Sequence, residues 1–60
     1  MTAREIIKII KNDGWYYSYS NGGHDYYKHH SKPGKISIPQ HKTELKIKTA
    51  NSILKQAGLK

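Results

Sequence analysis

Residues 15–39 read WYYSYSNGGHDYYKHHSKPGKISIP, and two turns divide this stretch into three short segments. The first turn is Asn21-Gly22-Gly23, a strong hairpin signal because consecutive glycines tolerate positive φ. The second turn is Ser31-Lys32-Pro33-Gly34, which is rich in turn-forming residues. Pro39 has no amide hydrogen to donate to a neighbouring strand and should end the third segment. We therefore predict a three-stranded antiparallel meander with strands over 15–20, 24–30 and 35–39.

A helix is predicted on each side of this meander. Before it, Thr2-Ala3-Arg4-Glu5 has the form of a capping box, and the isoleucines at 6, 7, 9 and 10 share one helical face. After it, a second apolar helical face is formed by Ile47, Ala50, Ile53, Leu54 and Ala57. Thr43 and Lys46 are both candidates for the residue that caps the second helix.

A glycine should end each helix, at Asp13-Gly14 and at Gly58. Glycine adopts the left-handed conformation at this position without steric cost, and the apolar residue after it packs back on the last turn. Trp15 should therefore contact Ile10, and Leu59 should contact Leu54.

These elements predict an α+β fold in the order helix–strand–strand–strand–helix, formed by residues 1–60 as one domain. A chain of 60 residues has no room for a second domain, and it buries only about 60% of the surface of its unfolded form. Both helices must bury their apolar faces, and one face of the sheet is the only surface available. The opposite face is left open to solvent or to a ligand.

Strand alternation indicates which side chains lie on this open face. In the second strand, one face carries His24, Tyr26, Lys28 and His30, and the other carries Asp25, Tyr27 and His29. In the first strand, one face carries Trp15, Tyr17 and Tyr19. If Tyr27 packs inward beside Trp15 and Tyr17, then His24, Tyr26 and Lys28 are displayed together. This row suits single-stranded RNA, because a base can stack on the ring and a cation can hold phosphate. The alternative is a polar sheet face with no binding role.

The charge of the chain favours a polyanionic partner. Eleven Lys and Arg residues face four Asp and Glu residues, which gives a formal net charge of +7. Between Lys28 and Lys48 there are six lysines and a single acid, Glu44. Nucleic acid is the commonest intracellular polyanion, so we expect RNA or DNA as a partner.

The composition also excludes several classes of protein. The chain has no cysteine, which rules out disulfides and thiolate metal sites. No apolar run approaches the roughly 20 residues that cross a bilayer, and the first five residues lack the layout of a secretory signal. We expect a cytoplasmic protein with no membrane partner.

The histidines are the candidates for acid–base chemistry. Cleaving RNA without metal requires a proton to leave the 2′-hydroxyl, a proton to reach the departing 5′-oxygen, and relief of charge on the phosphate. A histidine pKa of about 6.5 suits the proton transfers, and lysine suits the charge relief. His24 is favoured because the glycines before it let RNA backbone approach closely. The alternative is a hairpin-end histidine exposed to solvent.

The other histidines have simpler interpretations. We expect His29 and His30 to be exposed strand-end residues and His41 to be structural. A metal site formed by His24, His29 and His30 is a further alternative, but no cysteine supports it and carboxylates are scarce. We therefore predict neither a metal nor a cofactor.

Five short segments carry a resemblance to a known family. They are Gly14-Trp15, Gly22-x-His24, Lys32-Pro33-Gly34, Ile36-Ser37-Ile38-Pro39, and the tail from Ser52 to Leu59. With these segments in this order and spacing, the chain resembles the HicA toxin family over essentially its whole length. The resemblance implies a double-stranded-RNA-binding-like fold, ribosome-independent cleavage of mRNA, and a HicB-type antitoxin that covers the active site.

The catalytic histidine of the family falls on His24. Two departures accompany this match. The family usually has Gly-Ser-His where this chain has Gly22-Gly23-His24, and Tyr19 replaces a basic residue that is common near the end of the first strand. We expect Gly22, Gly23, Tyr26, Lys28, Lys46 and Lys48 to bind RNA around His24.

Two other functions remain open from the sequence. One is a non-catalytic RNA-binding module in which Gly22, Gly23 and His24 act with Lys46 and Lys48. The other is an interaction protein whose basic sheet docks an acidic partner. A short downstream gene for an antitoxin would favour the toxin, and a solitary or fused gene would favour the binding module.

Overall fold

The computed structural model describes residues 1–40 and 44–60. The elements in chain order are α1 (Ala3–Asn12), β1 (Tyr16–Asn21), β2 (His24–Lys28), β3 (Ile36–Pro39) and α2 (Ile47–Gln56). The strands form one antiparallel sheet in the order β1-β2-β3. This arrangement confirms the predicted α+β fold of helix, three strands and helix, although β2 ends two residues earlier than predicted.

The capping box at the start of α1 is confirmed. The backbone N–H of Glu5 donates to Thr2 Oγ1 over 3.1 Å, and the backbone N–H of Thr2 donates to Glu5 Oε1 over 2.9 Å. The Glu5 carboxylate thus accepts from the Thr2 N–H and also from the Thr2 hydroxyl, over 3.0 Å, and these two bonds favour its ionised form and lower the pKa of Glu5. The helix therefore begins where the sequence pattern places it.

Both helices end on the predicted glycines. Trp15 N–H donates to the Ile10 carbonyl over 3.0 Å, and Leu59 N–H donates to the Leu54 carbonyl over 2.9 Å. The glycine before each donor has positive φ, +106° at Gly14 and +75° at Gly58. This is the bonding pattern of the Schellman motif, which satisfies carbonyls that the last helical turn leaves free.

The start of α2 differs in part from the prediction. Lys46 is the N-cap residue, without a hydrogen bond from its side chain, whereas Thr43 and His41 lie outside the described residues. Ile47 was predicted on the buried face but is 76% exposed. Leu45, just before the helix, is buried instead, and its N–H donates to the Met1 carbonyl over 2.8 Å. This bond to the N-terminus places Leu45 in the core and leaves Ile47 at the margin of the apolar face.

The core lies between the two helices and one face of the sheet. Its largest fully buried side chains are Ile6 and Ile10 of α1 and Ile36 and Ile38 of β3. The other buried residues are Ala3, Trp15, Tyr27, Leu45, Ala50, Ile53 and Ala57.

A β-bulge in β1 changes which tyrosines face outward. Tyr17 pairs with Tyr27, but Tyr19 pairs with Tyr26, so the register shifts at the intervening Ser18. The extra residue breaks the alternation of faces along the strand. The prediction that Tyr19 shares a face with Trp15 and Tyr17 is therefore wrong, and Tyr19 lies on the open face beside Tyr26.

His29 is a structural residue, contrary to the prediction that it is exposed. Its side chain is 11% exposed, and its ring packs edge-on against Trp15 with centroids 5.2 Å apart. Nδ1 accepts from the Ser31 N–H over 3.0 Å, so the neutral ring carries its hydrogen on Nε2, which donates to the Asp13 carbonyl over 2.8 Å. This contact ties the loop after β2 to the end of α1.

Lys32 joins the carboxyl ends of both helices. Its Nζ donates to the Asp13 carboxylate and to the Ala57 carbonyl, the latter over 2.9 Å. Asp13 and Ala57 are the C-cap residues of α1 and α2. A cation is favourable there because each helix dipole places partial negative charge at its C-terminus. One lysine of the basic segment 28–48 thus stabilises the fold.

Candidate nucleic-acid interface

His24 is the first residue of β2 and follows a glycine turn. Gly22 and Gly23 have φ of +60° and +79°, which L side chains rarely adopt. A Cβ added at Gly22 would meet nothing within 4 Å, so the turn leaves open space in front of the strand. His24 itself is half-buried, with its backbone paired between Asn21 and Pro39.

One hydrogen bond selects the tautomer of the neutral His24 ring. Its Nδ1 lies 3.2 Å from the Gly22 carbonyl oxygen. Because a carbonyl oxygen only accepts, Nδ1 carries the hydrogen in this contact. The neutral ring therefore has its lone pair on Nε2, which can take a proton from a substrate and return it.

The sheet register displays His24, Tyr26 and Lys28 on the open face. Their neighbour Tyr27 is 4% exposed and pairs with buried Ile36, so it faces the core. Tyr17 pairs with Tyr27 but is 51% exposed, and it contacts the Tyr27 ring edge-on. The inward packing of Tyr27 and Trp15 is as expected, whereas Tyr17 remains largely in solvent.

Lys28 does not lie beside His24. The two residues are four positions apart along β2, a separation of about 13 Å. Lys28 pairs with Tyr16 at the other end of the strand, where the Tyr16 ring packs against His30 with centroids 5.0 Å apart. Lys28 and His24 therefore lie at opposite ends of β2.

Tyr26 belongs to a cluster that sequence reasoning missed. Its ring stacks on Tyr19 with centroids 4.7 Å apart and an interplanar angle of 16°. Lys35 Nζ donates to the Tyr19 hydroxyl over 2.7 Å and lies 4.8 Å from the centre of the Tyr26 ring. The hydrogen bond to Tyr19 raises the pKa of Lys35. Lys35 therefore places a cation beside Tyr19 on the open face.

A groove of about 390 Å³ lies between β3 and α2, and we call it the α2 groove. It is lined by His24, Ser37, Pro39, Lys48, Thr49, Ser52, Ile53 and Gln56. Of the predicted RNA-binding residues, Lys48 therefore shares a groove with His24. Lys46 lines an adjoining groove that also includes Pro39 and Thr49.

Sequence reasoning missed Ser52 and Gln56, the polar residues of α2 that line this groove with Lys48. They follow His24 by 28 or more positions in the chain, and only the packing of α2 beside β3 brings them near it. The tail from Ser52 to Leu59 was the one available signal, because it is part of the family resemblance.

Within residues 1–40 and 44–60, no three histidine or carboxylate side chains lie close enough together to hold a metal ion. In the same ranges, neither helix has the length and apolar character needed to cross a bilayer.

Comparison with known proteins identifies the family. Residues 3–59 match the family described as the HicA toxin of bacterial toxin–antitoxin. The chain belongs to the HicA toxin family. This confirms the resemblance that the sequence motifs indicated. Comparison with curated proteins gives no significant match.

A solved structure supports the same assignment. A chain of a toxin–antitoxin complex from Streptococcus pneumoniae superimposes with a TM-score of 0.82 and 32% sequence identity. The match covers 98% of this chain and 98% of that chain. The HicA fold therefore extends over nearly the full length of the 60-residue chain.

Proposed function

We propose that this HicA family toxin is an endoribonuclease that cleaves mRNA without a metal, with His24 as general base or acid. One observation carries the proposal. The Gly22 carbonyl holds Nδ1 of His24 and leaves Nε2 free to exchange protons beside a groove that carries Lys48. Catalysis by proton transfer requires an oriented ring of this kind.

The proposed reaction uses the 2′-hydroxyl of the RNA as nucleophile. His24 removes its proton as the oxygen attacks the adjacent phosphorus and the bond from phosphorus to the 5′-oxygen breaks. The departing 5′-oxygen takes a proton from solvent water, and the protonated His24 then returns its proton to solvent. The products are a 2′,3′-cyclic phosphate and a free 5′-hydroxyl. Lys48 stabilises the charge that develops on the phosphate, and the turn at Gly22-Gly23 lets the RNA backbone approach the ring.

The remaining predicted residues contact RNA away from the bond that breaks. Tyr26 offers an aromatic surface to a base next to that bond. Lys28 and Lys46, both exposed, hold flanking phosphates on the sheet and at the start of α2. This arrangement is suited to a single strand of mRNA whose bases are unpaired.

We also propose that a HicB-type antitoxin neutralises this toxin in the cytoplasm. The structural neighbour from Streptococcus pneumoniae comes from a toxin–antitoxin complex, and its chain matches this one over nearly its whole length. An antitoxin that presents acidic residues would complement the net charge of +7. Covering His24 would then block the reaction directly.

The direct test compares the wild-type protein with His24→Ala on single-stranded RNA. We expect the wild-type protein to cut in the presence of EDTA and to leave 2′,3′-cyclic phosphate ends, which mass spectrometry identifies. His24→Ala should be slower by about 10²-fold or more, the usual contribution of a general acid or base. His30→Ala is the matched control, because His30 is exposed and lies beyond the end of β2. Equal cutting by His24→Ala and wild type would remove His24 from the mechanism.

The second candidate function is a non-catalytic RNA-binding module. The exposure of Lys46 and Lys48 at the start of α2, near the glycine hairpin, favours it. A module of this kind would recognise the shape of duplex RNA and bind with strong salt dependence. Duplex binding that survives His24→Ala, together with no cutting by wild type, would support this alternative.

A further inference from the structure

We infer that the α2 groove binds the ribose-phosphate backbone of single-stranded RNA on one side of the bond that His24 cleaves. In this arrangement Lys48 pairs with a phosphate, while Ser52 and Gln56 donate hydrogen bonds to phosphate or ribose oxygens. The inference rests on the proposed function, because His24 defines the position of the cleaved bond. It goes further by assigning a binding role to Ser52 and Gln56 of α2, which were not among the predicted RNA-binding residues.

The walls of the groove come from two elements that meet beside His24. His24 pairs with Pro39 in the sheet, and Ser37 lies two residues earlier on the same face of β3. The opposite wall is α2, where Lys48, Ser52 and Gln56 are spaced four residues apart. Residues at this spacing form one row along a helix, and all three are exposed. The row therefore runs alongside β3, the strand that pairs with β2 and its His24.

The chemistry of the lining matches a sugar-phosphate chain. Hydroxyl groups of Ser37, Thr49 and Ser52 and the amide of Gln56 are neutral donors that can bond phosphate or ribose oxygens. Phosphate contacts in protein–nucleic acid complexes commonly come from these side-chain types together with lysine. Among the eight described lining residues, none is acidic. The groove thus combines one cation with uncharged polar groups and nothing that repels phosphate.

The size of the groove also fits one unit of the backbone. Its volume of about 390 Å³ lies within the range of about 300–1,000 Å³ for pockets that hold small ligands. Ile53, which is buried in the core, is among its lining residues, so the groove borders directly on the packed interior.

The open face of the sheet is less suited than the α2 groove to binding the RNA backbone next to the cleaved bond. Lys28 lies about 13 Å from His24 along the strand. Lys35 is already bonded to the Tyr19 hydroxyl. Lys48 is the predicted RNA-binding lysine whose side chain lines the same groove as His24. The backbone next to the cleaved bond therefore follows α2, and Tyr26 and Lys28 contact more distant nucleotides.

Cleavage kinetics test the groove with two variants and two matched controls. Lys48→Ala removes the cation, and Ser52→Leu fills the groove at an exposed helical position where leucine is a good helix former. Lys8→Ala removes an exposed lysine from α1, and Ser20→Leu adds the same bulk to an exposed position of β1. We expect kcat/KM to fall about tenfold or more for the first pair, as for the loss of one charged hydrogen bond. The controls should stay within twofold of wild type, and circular dichroism should show unchanged folding in all four. Equal activity of Lys48→Ala, Ser52→Leu and the controls would overturn the inference.

Nuclear magnetic resonance tests the groove even if the wild-type protein cuts no RNA. A 2′-fluoro-substituted single-stranded oligonucleotide lacks the hydroxyl nucleophile and keeps the phosphates, so it reports binding alone. We expect its addition to shift the backbone amide signals of residues 48–56 and of His24 in the isotope-labelled protein. Shifts confined to β1 would overturn the inference while leaving the proposed function intact. Shifts on α2 with no cleavage of ordinary RNA would instead support the groove and contradict the proposed function.

Discussion

At the scale of single residues, Gly14 carries two constraints that can be separated. Its φ of +106° disfavours any L side chain, and a Cβ there would lie 2.8 Å from Nε2 of His29. Gly34 has a φ of +81° but open space around the added Cβ, so it is the matched control for backbone strain alone.

We expect Gly14→Ala to destabilise the protein more than Gly34→Ala. Backbone strain of this kind costs about 1–3 kcal/mol, and the contact with His29 adds to it because that ring is bonded on both nitrogens. Urea unfolding at neutral pH measures the difference. Equal free energies of unfolding for the two variants would show that the His29 ring moves aside without cost.

A second residue-scale prediction concerns the open face of the sheet. Tyr19→Phe removes the hydroxyl that holds Lys35 and keeps the ring that stacks on Tyr26. If Lys35 supplies the cation that the family pattern places at position 19, RNA affinity should fall by less than tenfold for Tyr19→Phe. It should fall further for Lys35→Ala, because the charge itself is lost. Fluorescence anisotropy with a labelled single-stranded RNA measures both, and a larger effect of Tyr19→Phe than of Lys35→Ala would contradict this role for Lys35.

At the scale of elements, Lys32 connects the ends of α1 and α2 and makes stability depend on pH. Its hydrogen bond lowers the pKa of Asp13 below the ordinary 3.8. A carboxyl whose pKa is depressed in the folded state stabilises the fold above its unfolded pKa, and this stabilisation is lost as the pH falls through the folded value. Lys32→Met should therefore be less stable than wild type at pH 7. The difference between their free energies of unfolding should narrow below about pH 3.8.

Chemical unfolding at pH 7 and at pH 2.5 checks this expectation. Lys8→Met is the control, because Lys8 is exposed on α1. Asp13→Asn should lose the same pH-dependent contribution as Lys32→Met. If the difference in free energy of unfolding between wild type and Lys32→Met does not change with pH, the Asp13–Lys32 pair does not make the stability depend on pH.

The elements also show which parts of the fold a sequence pattern can predict. The capping box and the glycine stops depend on hydrogen bonds between residues at most five positions apart, so local sequence is sufficient. The bulge at Ser18 has no such local signal, because alternation of tyrosine and serine reads as a regular strand. The burial of His29 depends on Asp13, 16 positions away, and no periodicity reports a contact of that kind.

At the scale of the whole molecule, contacts between residues distant in the chain also limit how much of the candidate site the sequence can predict. The position of His24 after two glycines was visible in the sequence, and so was the excess of lysine. Which lysine joins His24 depends on how α2 packs beside β3, a contact between segments far apart in the chain. The sequence favoured Lys28, which shares a strand face with His24, but the structure brings Lys48 into the groove beside His24.

The net charge of +7 leads to a final prediction about the whole surface. If Lys28, Lys35, Lys46 and Lys48 each contact a phosphate, the plot of log affinity against log salt for single-stranded RNA should have a slope of about −3, since each contact contributes about −0.7. Single-stranded DNA of the same sequence should give a similar slope, because it presents the same phosphates, yet it should not be cut because it lacks the 2′-hydroxyl. Anisotropy titrations between about 50 and 200 mM salt measure the slopes. A steeper slope with duplex RNA, and tighter binding of the duplex, would mean that the surface recognises the double helix and would favour the non-catalytic module.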